Sequence, residues 1–343
     1  MFTRRHLIAS GLAAATAPAA RDRAVAQDAA IARNIAVVRR FKEAQGTPDE
    51  DAAMREVLAP DYKRHRGGIA HLIANARDQG FPGPGPYLRG AFPDRTDTIE
   101  EVIGTGSNRV GMLFRVRGTH RGNLFGIPPT GKTFDIYELG LFHLSDGKIT
   151  EAWFLADELG LLTQLGASLP ARRDGGRIVP PVTGAGEDPD ALLARWSAMS
   201  ELPPGPDGMT IRQNEMMAVR SKSATPSQGD HADGFHETRV GFQHLRDYGK
   251  AKDVANETIT IALPDRHDRV DEVLADRDAA WMRFWVAGTH GGKLYGITPT
   301  AKPVEVPEVC IMRFSGGKWA RAWYFADELG LLLQIGAVDQ VLG

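Results

Sequence analysis

The sequence predicts an α+β fold in two tandem copies, and three observations predict it. One long stretch is written twice, each copy places helical periods before alternating ones, and a Pro/Gly-rich segment without apolar period lies between them. The stretch Gly118 to Ala167 opens with Gly118-Thr119-His120, passes Gly126-Ile127-Pro128-Pro129-Thr130 and closes on Ala152-Trp153-Phe154-Leu155-Ala156-Asp157-Glu158-Leu159-Gly160-Leu161-Leu162. It returns at an offset of 170 as Gly288-Thr289-His290, Gly296-Ile297-Thr298-Pro299-Thr300 and Ala322-Trp323-Tyr324-Phe325-Ala326-Asp327-Glu328-Leu329-Gly330-Leu331-Leu332. About half of the positions match without a gap, which marks a duplicated unit.

The helices come first. From Asp28 to Ala44 the apolar residues Ile31, Ile35, Val38 and Phe41 fall at helical spacing, and Gly46 ends the run. Thr47-Pro48-Asp49-Glu50 then reads as a second helix start, with Thr47 as N-cap and Glu50 closing a capping box. Pro60 ends that helix, Ile69 to Asp78 reads as a short third one, and Pro82 to Pro86 as a loop or flap. After Phe92-Pro93-Asp94 the period changes to two, giving strands over Thr96–Ile103, Val110–Arg117, Phe134–Leu144 and Ile149–Leu155. Asp157 caps a last helix, Glu158 to Leu165. Helices followed by an antiparallel meander argue for α+β, not a parallel α/β sheet.

Ser168 to Pro189 is the linker, and Asp190 is expected to cap the first helix of the second unit. Before the strands an offset of 171 matches Pro93-Asp94-Arg95 to Pro264-Asp265-Arg266 and sets His65 opposite His236; a one-residue indel near Gly104 to Asn108 reconciles the offsets. The expected division is 1–26 signal, 27–168 first domain, 169–189 linker and 190–343 second domain.

With 42% hydrophobic and 24% charged residues over 343 positions, the composition is that of a globular protein with ample core. A formal net charge of -2 and no basic cluster argue against a nucleic-acid partner. Cys310 is the one cysteine, so no internal disulfide can form, and its apolar alternating run makes it a structural thiol. No Cys/His group has zinc spacing; no metal is expected. The start of the chain differs in kind. Thr3-Arg4-Arg5-His6-Leu7-Ile8, a weakly apolar stretch to Ala20 and Ala24-Val25-Ala26 read as a twin-arginine export signal, Met1 to Ala26, with cleavage near Ala26. The expectation is a periplasmic or secreted protein. The run is shorter than the roughly 20 apolar residues that span a bilayer, so no stable membrane insertion is expected.

Phe92-Pro93-Asp94, Gly118-Thr119-His120, Gly126-Ile127-Pro128-Pro129-Thr130-Gly131, Asp146-Gly147-Lys148-Ile149 and Leu161-Leu162-Thr163-Gln164-Leu165-Gly166 stand in this order. In that order they resemble the SnoaL-like polyketide cyclases, or ester cyclases, and the resemblance covers most of both halves. It implies the cone fold shared with nuclear transport factor 2: a curved antiparallel sheet wrapped around N-terminal helices and enclosing an apolar cavity, twice over. It also implies ring closure by intramolecular aldol condensation, using acid/base side chains and no metal or cofactor, on a small apolar molecule. In the family pattern the last strand reads His-Trp-Asp, with the Asp as general acid/base and the His beside the ligand. This chain departs from it with Ala152-Trp153-Phe154 and Ala322-Trp323-Tyr324.

The remaining candidates for acid/base work are His120 and His290, which resemble the histidine of the family's Gly-Thr-His motif, and His65 and His236, which resemble one near the cavity entrance. Each can instead be a hydrogen-bonded loop histidine. Glu138 and Glu308 are the candidate bases. Alternation puts Glu138 with Phe134, Ile136, Gly140 and Phe142, and a carboxyl on such a face would be desolvated and its pKa raised; Leu139 and Leu141 leave the opposite facing open. Trp153, Phe154, Trp323 and Tyr324 are candidate ligand-binding residues, with core packing as the alternative for the tryptophans. Two functions follow: a cofactor-free cyclase or isomerase, or a binding module that kept the cavity and lost the dyad. A third expectation is an intrachain pseudo-dimer, the duplication replacing a homodimer interface.

Overall fold

Residues that alternate Val, Ile, Phe and Leu with polar partners form two five-stranded sheets, one from each half. The structure is a computed structural model that describes residues 16–66, 72–74, 77, 84–106, 108–203, 207–223 and 230–343. The first sheet takes β1 Leu58–Arg66, β2 Thr96–Thr105, β3 Arg109–Thr119, β4 Thr133–Ser145 and β5 Lys148–Ala156, in the order β1-β5-β4-β3-β2. The second takes β6 His231–Arg239, β7 His267–Ala275, β8 Ala279–Thr289, β9 Pro303–Ser315 and β10 Lys318–Ala326, in the order β6-β10-β9-β8-β7. The four expected strands extend one or two residues beyond the expected ends. One strand was not expected: β1 pairs parallel with β5, and β6 with β10, so each antiparallel meander carries a parallel edge. Pro60 thus lies inside a strand, which the edge position tolerates because a sheet edge needs no donor there.

Helices close one face of each sheet. Helix α1, Thr16–Glu43, starts earlier than expected and packs on β2, β3 and β5. The expected signal segment falls partly on residues 1–15, outside the described residues. Helix α2 is Glu50–Val57 with Asp49 at its N-cap, so Thr47 is not the cap. Thr47 Oγ1 instead donates to Ala44 O at 2.7 Å, and Glu50 Oε2 accepts from Gly46 N at 2.9 Å. The expected third helix falls largely outside the described residues, and Pro84–Ala91 is helix α3 rather than loop. Its prolines sit in the first turn, where a missing N–H costs nothing. Helix α4, Glu158–Leu165, and its counterpart α9, Glu328–Ile335, behave as expected: Asp157 accepts from Gly160 N at 2.9 Å and Asp327 from Gly330 N at 2.7 Å.

In the second half, Asp188, not Asp190, caps α5, Pro189–Ser197, accepting from Ala191 N at 2.9 Å with Pro189 in the first turn. Helices α6, Gly208–Arg220, α7, Gln243–Ala251, and the short α8, Ile259–Ala262, complete the cover. The segment before α5 is irregular but fixed. Glu305, fully buried, accepts from Thr183 N, Thr183 Oγ1 and Gly184 N and pairs with Arg269.

The opposite faces of the two sheets pack on each other. Ile103, Leu113, Leu139, Leu141 and Leu155 meet Leu274, Trp281, Val309, Ile311 and Phe325 in one buried cluster. Gly111 and Trp281 stand at equivalent positions of the repeat and meet here; a Cβ on Gly111 would come within 2.7 Å of the indole. The duplicated sequence has made one position small and its twin large so that the two fit. Identical subunits related by symmetry could not make that exchange.

Candidate functional site

The alternation in β4 decides where the glutamates point. Phe134, Ile136, Glu138 and Phe142 are buried on the helix-covered face, and Leu139 and Leu141 on the sheet-to-sheet face. Val304, Val306, Glu308, Cys310 and Met312 repeat the arrangement in β9. Both glutamates are buried, at 3% and 1% exposure, on the inner face. Glu138 sits among cations. Arg66 Nη1, at the end of β1, donates to Glu138 Oε1 at 2.7 Å, and Arg95 lies 3.7 Å from the other oxygen. Burial alone would raise this carboxyl; Arg66, then Lys42, Arg95 and Arg64, outweigh it and hold Glu138 down at about 2. The expectation of a raised pKa is therefore corrected: the Glu on the apolar face stands among cations. In the second half Arg239 Nη1 donates to Glu308 Oε1 at 3.2 Å.

Around each glutamate the two halves place the same residue types from different elements. Arg95 chelates Asp97 at 2.9 and 3.0 Å, and Arg266 chelates Asp268 at 2.9 Å through both nitrogens. Lys42, from the last turn of α1, lies 3.5 Å over the Phe114 ring; Lys222, just beyond α6, lies 4.0 Å over Phe284, the repeat partner of Phe114. The sequence reading missed these cations. The doubled Arg-Thr-Asp and Arg-His-Asp at 95–97 and 266–268 were a visible signal, whereas the lysines and Arg66/Arg239 lie outside the constant offset.

The halves then diverge. Lys42 is buried against Asp97 at 2.8 Å and Gln45 at 3.1 Å, and burial, then Arg95, brings its amine down to about 8. The Lys222 ammonium lies between Phe284 and Tyr324, 4.7 Å from the latter, with no ion pair among the described residues, and burial lowers its pKa. It opens on a recess of about 480 Å³ that also presents Ser221, Thr260, Leu263, Arg266 and Asp268. The equivalent recess of the first half, beside Phe92, Pro93 and Arg95, measures about 120 Å³. Phe41, Phe142 and Phe154 fill the space behind it with ring centroids 5.5 to 6.3 Å apart.

The other sequence candidates separate into inner and outer sets. Phe154 and Tyr324 are buried on the inner face, as a ligand wall requires. Trp153 and Trp323 are not beside them: both turn to the opposite face, where Trp153 stacks on His65 at 4.9 Å and carries Arg283 at 4.4 Å. That placement follows from the two-residue period of β5 and β10. His65 shares the outer face and is exposed, 2.7 Å from Glu151. His236 is also exposed, and the two are not equivalent: His65 pairs in register with Trp153, while Thr238 pairs with Trp323 and His236 with Arg321. The offset of 171 fails here by two residues.

His120 and His290 are buried and hold the loops after β3 and β8. His120 Nδ1 lies 3.2 Å from Thr130 Oγ1 and accepts from Thr130 N at 3.3 Å; His290 Nδ1 lies 3.0 Å from Thr300 Oγ1. Burial lowers both imidazoles below their ordinary value, which favours the neutral form. Among the described residues no histidine hydrogen-bonds to Glu138 or Glu308. Cys310 is buried, with burial pushing its thiol up to about 12, which leaves it inert as a nucleophile.

One group of ligand-type side chains lies between the halves. Asp157, His244 and Glu328 bring their ligand atoms within 4.8 Å of one another. Hydrogen bonds account for the geometry: His244 Nε2 lies 3.0 Å from Asp157 Oδ2, and Leu245 N donates to Glu328 Oε1 at 3.1 Å. Burial would lower His244, but Asp157 raises it to about 9; burial pushes Glu328 up to about 8. The cluster is an ion pair from one half to the other beside a buried carboxyl.

A family model described as SnoaL-like polyketide cyclase matches residues 36–165 and 230–335, one segment for each sheet. Aklanonic acid methyl ester cyclase DauD of Streptomyces sp. (strain C5) is 31% identical over 147 residues, 42% of this chain and 87% of its own. Aklanonic acid methyl ester cyclase DnrD of Streptomyces peucetius is 29% identical over 132 residues, 38% of this chain and 90% of its own. Among solved structures, IdmH of Streptomyces antibioticus, assigned as a polyketide cyclase, is similar at 29% identity and a TM-score of 0.32 over 39% of this chain and 99% of that one. A protein of Jannaschia sp. CCS1 assigned as a SnoaL-like polyketide cyclase gives 26% identity and a TM-score of 0.33 over 40% and 94%. With the family model matching one segment in each half, over more than half of the chain, the chain belongs to the SnoaL-like polyketide cyclase family.

Proposed function

We propose that this chain is an exported small-molecule binding protein with one site at the mouth of each half, in units close to residues 27–168 and 190–343. The observation that carries the reading is the tie of each buried glutamate to an arginine, Glu138 to Arg66 and Glu308 to Arg239. A carboxylate held at about 2 is a weak base at neutral pH, since general-base efficiency falls as pKa falls below the working pH. The positions that carry the dyad in the family pattern hold Ala152, Phe154, Ala322 and Tyr324, of which the alanines and the phenylalanine have no proton to move; burial pushes the Tyr324 phenol upward. The ligand is a small molecule with an apolar body, and the two halves act as an intrachain pseudo-dimer.

A second reading keeps catalysis: cofactor-free acid/base chemistry, an aldol cyclisation or isomerisation, on a small apolar carbonyl compound. Two relatives that are aklanonic acid methyl ester cyclases favour it. So does Lys222, an amine of lowered pKa facing a recess. Native mass spectrometry of protein recovered from its own cells separates the two. The binding reading expects a retained small molecule released unchanged on unfolding. Release of a cyclised or isomerised product from an added carbonyl compound, lost in Glu308→Gln, would support catalysis and end the binding reading. Export rests on Thr3-Arg4-Arg5 and Ala24-Val25-Ala26. Amino-terminal sequencing of the periplasmic protein is expected to start near Gln27, and an intact Met1 in the cytoplasm would contradict it.

A further inference from the structure

Arg64 is a cation of the inner row of β1 that the ion-pair framework does not use. It stands between Tyr62 and Arg66 in the alternation and pairs in register with Ala152, so it points where Arg66 points. Its guanidinium lies 4.6 Å over the Phe154 ring and lines the recess of about 120 Å³ at the mouth of the first half. Among the described residues it has neither a hydrogen bond nor an ion pair. The two other arginines of that recess are occupied. Arg95 is chelated by Asp97, and Arg89 lies 3.0 Å from Glu50. Three guanidiniums therefore line the recess against one lining carboxylate, Glu50, with Asp97 behind Arg95. A guanidinium keeps its charge at any pH in which the protein is folded. An exposed guanidinium against an aromatic ring at the rim of a small recess, with no bonded partner among the described residues, has its donors open to an anion.

The second half supplies the contrast. The place of Arg64 is taken by Glu237, in register with Ala322, and its carboxylate lies 3.3 Å from Arg239. The second recess sets Lys222 and Arg266 against Asp188, Asp190 and Asp268. The duplicated mouths thus differ in sign at one matched position, and the larger of them carries the more acidic lining.

We propose that the mouth of the first half is a carboxylate-binding subsite, in which Arg64 takes the anionic end of a ligand whose apolar part lies against Phe92 and Leu88. The planar guanidinium offers the two parallel donors that a carboxylate accepts, and the Phe154 ring holds its plane. The proposal rests on the binding reading above and narrows its ligand: the first half takes an organic acid, and the second half does not share the preference.

The test is calorimetric titration of the full chain with benzoate and with its neutral counterpart benzamide. Benzoate is expected to bind saturably with one site per chain, and benzamide roughly tenfold or more weakly, which is what a charge-assisted hydrogen bond contributes. Arg64→Glu, which copies the second half, is expected to weaken benzoate by roughly tenfold or more and to leave benzamide unchanged. Arg64 is exposed and partner-free, so the variant is expected to melt with the parent; Arg64→Gln provides the same comparison without adding a charge. Equal affinity for acid and amide, or benzoate binding indifferent to both substitutions, would overturn the subsite and leave the binding reading standing. No benzoate binding at all would also overturn it. The broader reading fails separately, if the protein recovered from its own cells carries no small molecule.

Discussion

The two halves share a charged framework and differ in what fills the space beside it. Each has a buried glutamate tied to an arginine from its parallel edge strand, an Arg–Asp chelate at the mouth and a lysine over a phenylalanine. In the first half Phe41, Phe142 and Phe154 pack behind this framework, and the mouth is small. In the second, the residue before the lysine is Ser221, Met312 stands where Phe142 stood and Tyr324 replaces Phe154. The recess there is about four times as large, from 120 to 480 Å³. The difference teaches that the charged residues set the architecture of the mouth, while a few space-filling positions set its size and Arg64 or Glu237 its charge. A duplicated domain can change ligand at those positions without disturbing the ion pairs.

The sharpest way to break this comparison is to remove the glutamates one at a time. Glu138→Gln leaves Lys42, Arg64, Arg66 and Arg95 with Asp97 and Glu158 as nearby buried acids, and is expected to cost about 3 to 5 kcal/mol in chemical denaturation. Glu308→Gln leaves Arg239 with Glu237 and Arg266 with Asp268, with only Lys222 losing its nearby carboxylate, and is expected to cost about 1 to 2 kcal/mol. Equal costs would mean that the excess of cations in the first half is not what holds Glu138. The pH dependence has a definite sign. Glu138 is depressed from 4.5 to about 2, so its contribution is complete above pH 4.5 and lost as pH falls through about 2. Glu138→Gln should flatten that acid limb.

Gly111→Ala tests the contact between the sheets. The added methyl meets the Trp281 ring in a filled interface and should destabilise the chain by about 1 to 3 kcal/mol. Ala280→Gly, next to Trp281 on the inner face, controls for backbone freedom. A neutral Gly111→Ala would show that the sheets separate more easily than their packing implies.

The smallest effect is expected at the one-sided ion pair between the halves. His244 is raised from 6.5 to about 9 and Glu328 from 4.5 to about 8. Both raised groups contribute stability that is complete below their unfolded values and lost as pH rises through the folded ones. Thermal stability should therefore fall as pH rises, from 4.5 to about 8 for Glu328 and from 6.5 to about 9 for His244, with about 1 to 2 kcal/mol from the His244 pair. Glu328→Gln, which stays neutral, should remove the part of the fall that runs from pH 4.5 to about 8. Stability that rises over this range would contradict the pairing.

Much of the fold was legible because local rules and tertiary structure agree. Strands β2 to β5 are apolar runs bounded by turn residues, and Asp157 and Asp327 cap the helices that their positions demand. Strand β1 was not legible. It is a mostly exposed edge containing Pro60, and its inward residues are arginines, which read as polar noise until their partners on β4 are known. The same blindness hid the site. Alternation grouped Glu138 with Phe134, Ile136 and Phe142 but left open which face turns inward, and the cations that set its character arrive from α1, β1 and the segment before β2, far away in sequence. Trp153 and His65 were misplaced for a related reason: aromatic and histidine side chains suggest a ligand site, yet the strand period turns them to the other face.

The central claim is that the buried carboxylates are structural counter-ions of a binding site and not general bases. The most direct measurement is an NMR titration of the Glu138 side-chain carboxyl carbon, assigned by comparison with Glu138→Gln, from neutral pH downward. The account predicts a midpoint near 2, with the carboxylate ionised throughout the range in which ligands bind. A midpoint near neutrality would contradict it and return Glu138 to the role of catalytic base.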